Sequence, residues 1–252
     1  NGTLTGTSDL AVSGLFTWWG GTLSGSGALN ANGGILIDGD LHFAGQPKYL
    51  NGRTLNNAGA AVWKAGYLTA YNGAIINNLA GATFDIQSER DLTYEKLGEG
   101  GVGPRGTFHN AGTFRKTGNT VAPNYESYDG TALDVIFENT GTVEAQVGSL
   151  LVLDMGQSVG YITTGEFLGM AGASLSMSGG TLASGAHVQS AGAVGLVGVA
   201  MGGVYDVTGS TYVANSTFTG PSTIVGMGNV TVEGLVDISS ASSPVPMTSL
   251  FL

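Results

Sequence analysis

Four segments of the chain repeat one pattern: Leu55-Asn56-Asn57-Ala58-Gly59-Ala60-Ala61-Val62, Ile76-Asn77-Asn78-Leu79-Ala80-Gly81-Ala82-Thr83-Phe84, Phe108-His109-Asn110-Ala111-Gly112-Thr113-Phe114 and Phe137-Glu138-Asn139-Thr140-Gly141-Thr142-Val143. In each segment an asparagine follows an apolar residue and a variable one, and a glycine, a small residue and an apolar residue come next. Short alternating runs joined by Asn and Gly are typical of β-strands with tight turns. Their recurrence indicates a repeat protein.

The spacing of the four repeat glycines favours a β-solenoid. The glycines at 59, 81, 112 and 141 are 22, 31 and 29 residues apart, and the first interval is about one solenoid turn. The longer intervals require insertions, and the polar stretches 87–105 and 115–131 are expected to be two loop excursions. Fifteen of the 26 charged residues lie between Asp85 and Glu144. We therefore predict one solenoid domain over 1–238, followed by a linker-like segment and apolar tail over 239–252.

Stacking explains why the repeat needs asparagine and glycine at coil corners. Strands of successive coils pair along the solenoid axis at about 4.8 Å. An asparagine at a fixed corner can hydrogen-bond its counterpart and tolerates the left-handed conformation, and glycine supplies a positive φ. The predicted corner residues are Asn57, Gly59, Asn78, Gly81, Asn110, Gly112, Asn139 and Gly141. A β-sandwich or propeller competes, but the sandwich does not predict the Asn-x-Gly recurrence.

Composition excludes several classes of protein. The 252 residues include 44 glycines and no cysteine, only 10% are charged, and the net charge is −10. Disulfide frameworks and cysteine nucleophiles are therefore absent, and a nucleic-acid surface lacks the clustered positive charge it needs. No apolar run approaches the roughly 20 residues of a spanning helix, so membrane insertion is not expected. Helical periodicity is also missing, because glycine interrupts every window.

A second unit and a family resemblance extend this interpretation. Gly20-Gly21-Thr22-Leu23-Ser24-Gly25 is echoed by Gly179-Gly180-Thr181-Leu182-Ala183-Ser184-Gly185. The run Trp18–Gly27 and the Asn-Asn-Ala-Gly-Ala units resemble the degenerate repeats of large bacterial secreted proteins, the filamentous-haemagglutinin-like and autotransporter-passenger-like adhesins. The resemblance covers residues 1 to about 150 well and the glycine-rich remainder more loosely. It implies a right-handed parallel β-helix, export and a structural or adhesive role, and it carries over no catalytic residues.

Candidate chemical sites are few. Acid/base catalysis needs carboxylates near one another, and the first excursion offers Asp91 and Glu95 with Arg105 as a cationic partner, although a solvated excursion is favoured over catalysis. Asp38 and Asp40 flank a glycine and are a weak calcium candidate, but they lack the remaining oxygen ligands. The three histidines are far apart in sequence, and His109, at the variable position of its repeat, is expected to face the surface. No cofactor or metal is expected.

Aromatic residues are the more informative set. If adjacent Trp18 and Trp19 both lie in a strand, they must point to opposite faces, so one of them should be exposed. Exposed aromatics along a rod can stack on sugar rings or pack against a second subunit. The candidates for such contacts are Trp18, Trp19, Trp63, Tyr67 and Tyr71, with a core or capping role as the competing explanation.

Together these observations predict an exported, non-enzymatic β-solenoid that serves as a structural or adhesive module of a bacterial cell surface or extracellular filament. Exposed strand edges at solenoid ends are templates for another chain, so end-to-end self-assembly is a further hypothesis. The expected partner is another copy of the chain or a cell-surface glycan. The alternative is a polysaccharide-binding or polysaccharide-degrading, lyase-like β-helix protein.

Overall fold

The computed structural model describes residues 2–39, 47–96, 100–101, 103–120, 130–155, 162–220, 222–241 and 244–252. Within these residues the chain is all-β, and its parallel strands stack as a β-solenoid of about 10 turns. The predicted fold class is thus confirmed. Handedness stays a prediction from the resemblance. No helix in the described part of the chain is long and apolar enough to cross a membrane.

Each full turn contributes strands to three faces of the rod. Face 1 consists of Thr3–Leu4, Gly21–Ser24, Lys48–Asn51, Leu68–Tyr71, Leu92–Thr93, the start of Thr131–Asn139, Ser149–Asp154, Ser174–Ser178, Ala193–Val197, Ser210–Ala214, Asn229–Glu233 and Ser249–Phe251. Face 2 consists of Leu10–Val12, Ala28–Ala31, Thr54–Asn57, Ile75–Asn78, Thr107–Asn110, the end of Thr131–Asn139, Ile162–Thr163, Thr181–Leu182, Ala200–Met201 and Thr217–Phe218. Face 3 consists of Phe16–Trp18, Ile35–Ile37, Ala60–Trp63, Thr83–Ser88, Thr113–Thr120, Thr142–Ala145, Glu166–Gly169, His187–Ser190, Val204–Val207 and Thr223–Gly226.

The register of the repeats agrees with the pattern that predicted the fold. Asn57, Asn78, Asn110 and Asn139 are direct partners in successive strands of face 2. The later turns are shorter and regular, because Leu175, Val194, Thr211, Val230 and Leu250 pair in series. The two Gly-Gly-Thr-Leu units of the sequence are not at equivalent positions. The strand Gly21–Ser24 of the first unit lies on face 1, whereas the strand Thr181–Leu182 of the second lies on face 2.

The core is a set of continuous side-chain columns inside the rod. Phe84 stacks on Phe114 with ring centroids 5.6 Å apart, and Phe108 stacks on Phe137 at 5.5 Å. Phe167 extends the first column and is fully buried. Stacked aromatic pairs contribute beyond the area they bury. Aromatic and aliphatic residues at equivalent coil positions therefore build most of the interior.

The excursions are shorter than the polar composition suggested. Thr83–Ser88 and Leu92–Thr93 belong to the coils, and within the described part of this stretch the antiparallel hairpin of Glu95–Lys96 with Gly100–Gly101 lies outside them. In the second stretch Thr113–Thr120 is a coil strand, and residues 121–129 lie outside the described residues. Charge was a misleading signal because Asp85, Arg115 and Glu144 form one outward column on face 3.

Three buried cations replace apolar residues in the core. Arg53 donates to the carbonyls of Gly6, Ser8 and Ser24 at 3.2, 3.0 and 2.9 Å and so ties the third turn to the first two. The Lys116 ammonium donates to Ser88 O at 3.1 Å and pairs with Glu89 at 2.9 Å. Lys48 occupies the inward position that leucines hold at 68 and 92, and its Nζ donates to Ala65 O at 3.2 Å. Backbone carbonyls, and for Lys116 also the Glu89 carboxylate, accept hydrogen bonds from these cations and so offset the cost of burying them.

The C-terminal segment returns to the ladder. Ser249–Phe251 pairs in parallel with Asn229, Val230 and Thr231, so this apolar segment forms the last rung of face 1. Between them Asp237 makes a parallel bridge with Thr217. The described part of residues 239–252 is therefore continuous with the solenoid stack.

Candidate functional site

The asparagine ladder is the most regular polar feature of the rod. The side-chain amide of Asn57 donates to the oxygen of Asn78 at 2.9 Å, Asn78 donates to Asn110 at 2.8 Å, and Asn110 donates to Asn139 at 2.8 Å. All four side chains are buried. Each amide also donates to a backbone carbonyl, as Asn110 does to Thr142 at 3.0 Å. The predicted hydrogen bonding between turns is confirmed.

The prediction of a left-handed backbone, with positive φ, is wrong for most residues of this corner. Among the described non-glycine residues only Asn72 and Asn215 have positive φ, and neither belongs to the ladder. Of the four repeat glycines only Gly81 has positive φ, at 81°. Gly112 and Gly141 are needed for another reason: a Cβ there would collide with the carbonyl oxygens of Ala82 and Gly112 in the turn before. A Cβ on Gly59 would lie 2.8 Å from the nitrogen of Gly34.

A second, outward column runs beside the ladder. The Asn56 amide donates to Asn30 and the Asn77 amide to Asn56, both at 2.7 Å. His109 and Glu138 continue this column, with His109 Nδ1 2.6 Å from a Glu138 oxygen. His109 is half-buried on the outside of the rod, in agreement with its predicted outward position. In the described residues no group of three or more acidic or histidine side chains is arranged to hold a metal ion.

The aromatic candidates do not form one exposed row. Trp19 is 59% exposed and Trp18 only 3%, which confirms that one of the two is exposed; Trp18 ends the strand Phe16–Trp18, and Trp19 follows it. Trp63 is fully buried and its Nε1 donates to Gly66 O at 2.9 Å, so it cannot contact a glycan or another subunit. Tyr71 is 6% exposed and packs edge-on against Tyr49. Tyr67 is half-buried beneath the Arg90 guanidinium, 4.9 Å from its ring centroid. Only Trp19 offers a largely open ring.

The acidic candidates make contacts that join turns. Asp91 accepts a hydrogen bond from the Ala132 backbone N–H at 2.8 Å, and burial raises the pKa of its carboxyl. Arg105 lies 3.3 Å from Asp134 and 3.5 Å from Asp154, and its guanidinium covers the Tyr94 ring at 4.5 Å. Glu95 lies in the hairpin, but its side chain is outside the described residues. The predicted trio is therefore not assembled as a set by any described contact.

The calcium candidate is half outside the described chain. Gly39 N donates to the Asp38 carboxylate at 2.8 Å, a contact between sequence neighbours directly after the strand Ile35–Ile37. Asp40 lies outside the described residues.

A groove that sequence reasoning missed follows the corner after face 1. It runs from Arg105 past Asp154, Ser178 and Gly198 to Asn215, with a volume of about 540 Å³. We call it the corner groove. Gly179, Gly198, Asn215 and Gly234 form its column of left-handed residues, with φ of 65°, 64°, 46° and 66°. Glycines after the strand ends were the available signal, but without the register they could not be aligned.

Comparison with known proteins adds no assignment: no family model, no curated protein and no solved structure matches the chain.

Proposed function

We propose that this chain is an exported, non-enzymatic β-solenoid with a structural or adhesive role at a bacterial cell surface or in an extracellular filament, and that its rods associate end to end. The observation that carries the proposal is the parallel ladder that runs from Thr3 to Phe251. Every rung is hydrogen-bonded to the next, which makes a stiff rod of about ten turns at ~4.8 Å each. The adhesin resemblance supports the location.

The exposed rungs at both ends of the described rod support end-to-end association. Leu4 and Leu10 continue inward core columns but are 40% and 37% exposed. At the other end Leu250 is 51% exposed, although its partner Val230 is buried. Unpaired strand edges with apolar side chains are templates for a further strand. A second copy of this rod ends in strands of the same kind and can supply that further strand.

Electron microscopy with sedimentation velocity tests this association. Rod length should grow in whole multiples of about 50 Å, ten rungs at ~4.8 Å, as concentration rises, and salt should promote growth because it screens the net charge of −10. Leu250→Lys should restore single rods, whereas Val225→Lys, at an equally exposed position on face 3, should not. Single rods at every concentration and salt level would contradict end-to-end association.

Polysaccharide binding or lyase-like cleavage remains the second candidate. The raised pKa of Asp91 favours it, because a carboxyl that holds its proton more readily can act in acid/base catalysis. Asp91→Asn keeps an acceptor for the Ala132 N–H and should abolish cleavage of an acidic polysaccharide without unfolding the rod. No turnover by the unmodified protein on a broad polysaccharide panel would exclude the lyase.

A further inference from the structure

The corner groove is open because two of its floor residues, Gly179 and Gly198, have no side chain. Gly198 has φ +64° and a Cβ built there would meet nothing within 4 Å. Gly179 occupies the same position one turn earlier, since Ser178 pairs with Val197. The groove crosses four successive turns between Asp154 and Asn215, or roughly 14 Å at ~4.8 Å per turn. Its long axis is therefore the axis of the rod.

The walls of the groove combine apolar patches with paired polar groups. Leu153 and Val197 are 38% and 40% exposed and line it. Arg105, Asp154 and Ser178 supply guanidinium, carboxylate and hydroxyl groups. A ligand that both donates and accepts hydrogen bonds and also carries apolar C–H surface fits this mixture.

The charges of the groove and of the whole chain favour a neutral ligand over an anionic one. Arg105 is paired with Asp134 and Asp154, so two carboxylates accompany one guanidinium. The whole chain carries −10. A polyanion would meet repulsion at this rim, whereas a neutral hydroxyl-rich chain can accept from Arg105 and donate to Asp154.

We propose that the corner groove binds a neutral linear polysaccharide whose chain lies along the rod axis. A pyranose unit in an extended chain advances by a distance close to the ~4.8 Å between turns, so successive sugars meet equivalent positions of successive turns. The proposal deepens the adhesive part of the proposed function and does not depend on end-to-end association. It also differs from the lyase alternative, which acts on acidic polymers.

Titration calorimetry with cellohexaose, chitohexaose and an oligogalacturonate hexamer tests the proposal. At least one neutral hexaose should bind, and the acidic hexamer should not. Gly198→Asn should weaken binding at least tenfold by placing an amide in the groove. The substitution suits the backbone, because Asn215 adopts the same left-handed conformation in the same column.

Matched controls keep the test independent of folding and of assembly. Gly172, at another corner, has φ +82°, and a Cβ built there meets nothing within 4 Å. The Gly172→Asn variant should therefore bind the hexaose like the unmodified protein. Val197→Glu should also block binding, whereas Val225→Glu on face 3 should not. Failure of both neutral hexaoses to bind, or unchanged binding by both groove variants, would overturn the proposal. Rod growth, followed separately by microscopy, reports on end-to-end association alone.

Discussion

A buried asparagine side chain is stable in this ladder because the neighbouring turns offer its amide and oxygen hydrogen-bond partners. Asn78 donates to Asn110 Oδ1 at 2.8 Å and to Thr113 O at 3.1 Å, and its own oxygen accepts from Asn57. An amide buried without partners costs a few kcal/mol. The ladder therefore stabilises the four turns that contain it, and loss of one asparagine would leave the amides next to it without that hydrogen-bond partner.

Removing one member of the ladder should be costly. Asn110→Ala takes the acceptor from the Asn78 amide and one donor from the Asn139 oxygen, so we expect a loss of about 2 to 4 kcal/mol in the free energy of unfolding. Urea denaturation measures it. The control is Asn77→Ala in the half-exposed outer column, with an expected loss below about 1 kcal/mol. Equal losses would show that the inner column has no special role.

Lys48 gives the rod a pH dependence. Burial lowers the pKa of its ammonium to about 8, and the charge of Asp38 opposes this shift. Between that value and the unperturbed 10.5 the unfolded chain binds more protons than the folded one. The free energy of unfolding should therefore rise with pH between about 8 and 10.5. Below about pH 8 the folded protein bears the full cost of burying the charged Lys48 ammonium.

Lys48→Leu should remove this cost. At pH 7 the variant should gain about 1 to 3 kcal/mol in the free energy of unfolding, and the gain should shrink as the pH approaches 10.5. Chemical denaturation at several pH values follows it. Lys64→Leu, at a nearby exposed position, should show no such trend. A variant less stable than the unmodified protein at every pH would mean that the hydrogen bond to Ala65 outweighs desolvation.

At the corners between strands, glycine is required for one of two reasons: close contact between neighbouring turns or a left-handed backbone. At the corner between faces 2 and 3 the chain of one turn lies directly on the next, so Gly112 and Gly141 have no room for a Cβ. At the corner after face 1 the requirement is instead a left-handed backbone, met by Asn72 and Asn215 as well as by glycines. The two corners use glycine for different physical reasons.

Gly141→Ala tests whether the corner between faces 2 and 3 has room for a Cβ. The added methyl would meet the carbonyl oxygen of Gly112 and push two turns apart, which should cost about 1 to 3 kcal/mol. Thermal unfolding is the readout. Gly14→Ala, where the Cβ meets nothing within 4 Å and φ is not positive, should be neutral or slightly stabilising. Tolerance of Gly141→Ala would show that neighbouring turns can separate freely.

Across the whole rod, stability should vary with position because each turn contacts only its neighbours. Residues 2–11 are all exposed, whereas the strands of the ladder turns alternate between buried and partly exposed residues. Amide hydrogen exchange should therefore be fastest in the first turn and slowest between Thr54 and Ala145. At concentrations where rods associate, the first turn should gain protection. Uniform exchange along the chain would contradict this nearest-neighbour behaviour.

Much of the fold could be predicted from the repeat, and the chemistry of single positions could not. The alignment of Asn57, Asn78, Asn110 and Asn139 was correct because an identical residue type marks an identical corner. The outward position of His109 followed from the same alignment. The excursion bounds were too wide, because Lys116 is buried among carbonyls and Arg115 is stacked in an outward column. Polarity alone does not distinguish these positions from loops.

The sequence by itself determined the stacking: the Asn-x-Gly spacing specifies parallel strands, an inner amide ladder and an aliphatic and aromatic core. Only the tertiary structure decided which side chains share a surface. Trp63 is sealed in the core, Trp19 is open, and Leu153, Val197 and Asn215 meet along one groove. The physical reason is that local pattern sets the alternation within a strand, whereas turn lengths between strands set the register that brings distant residues together.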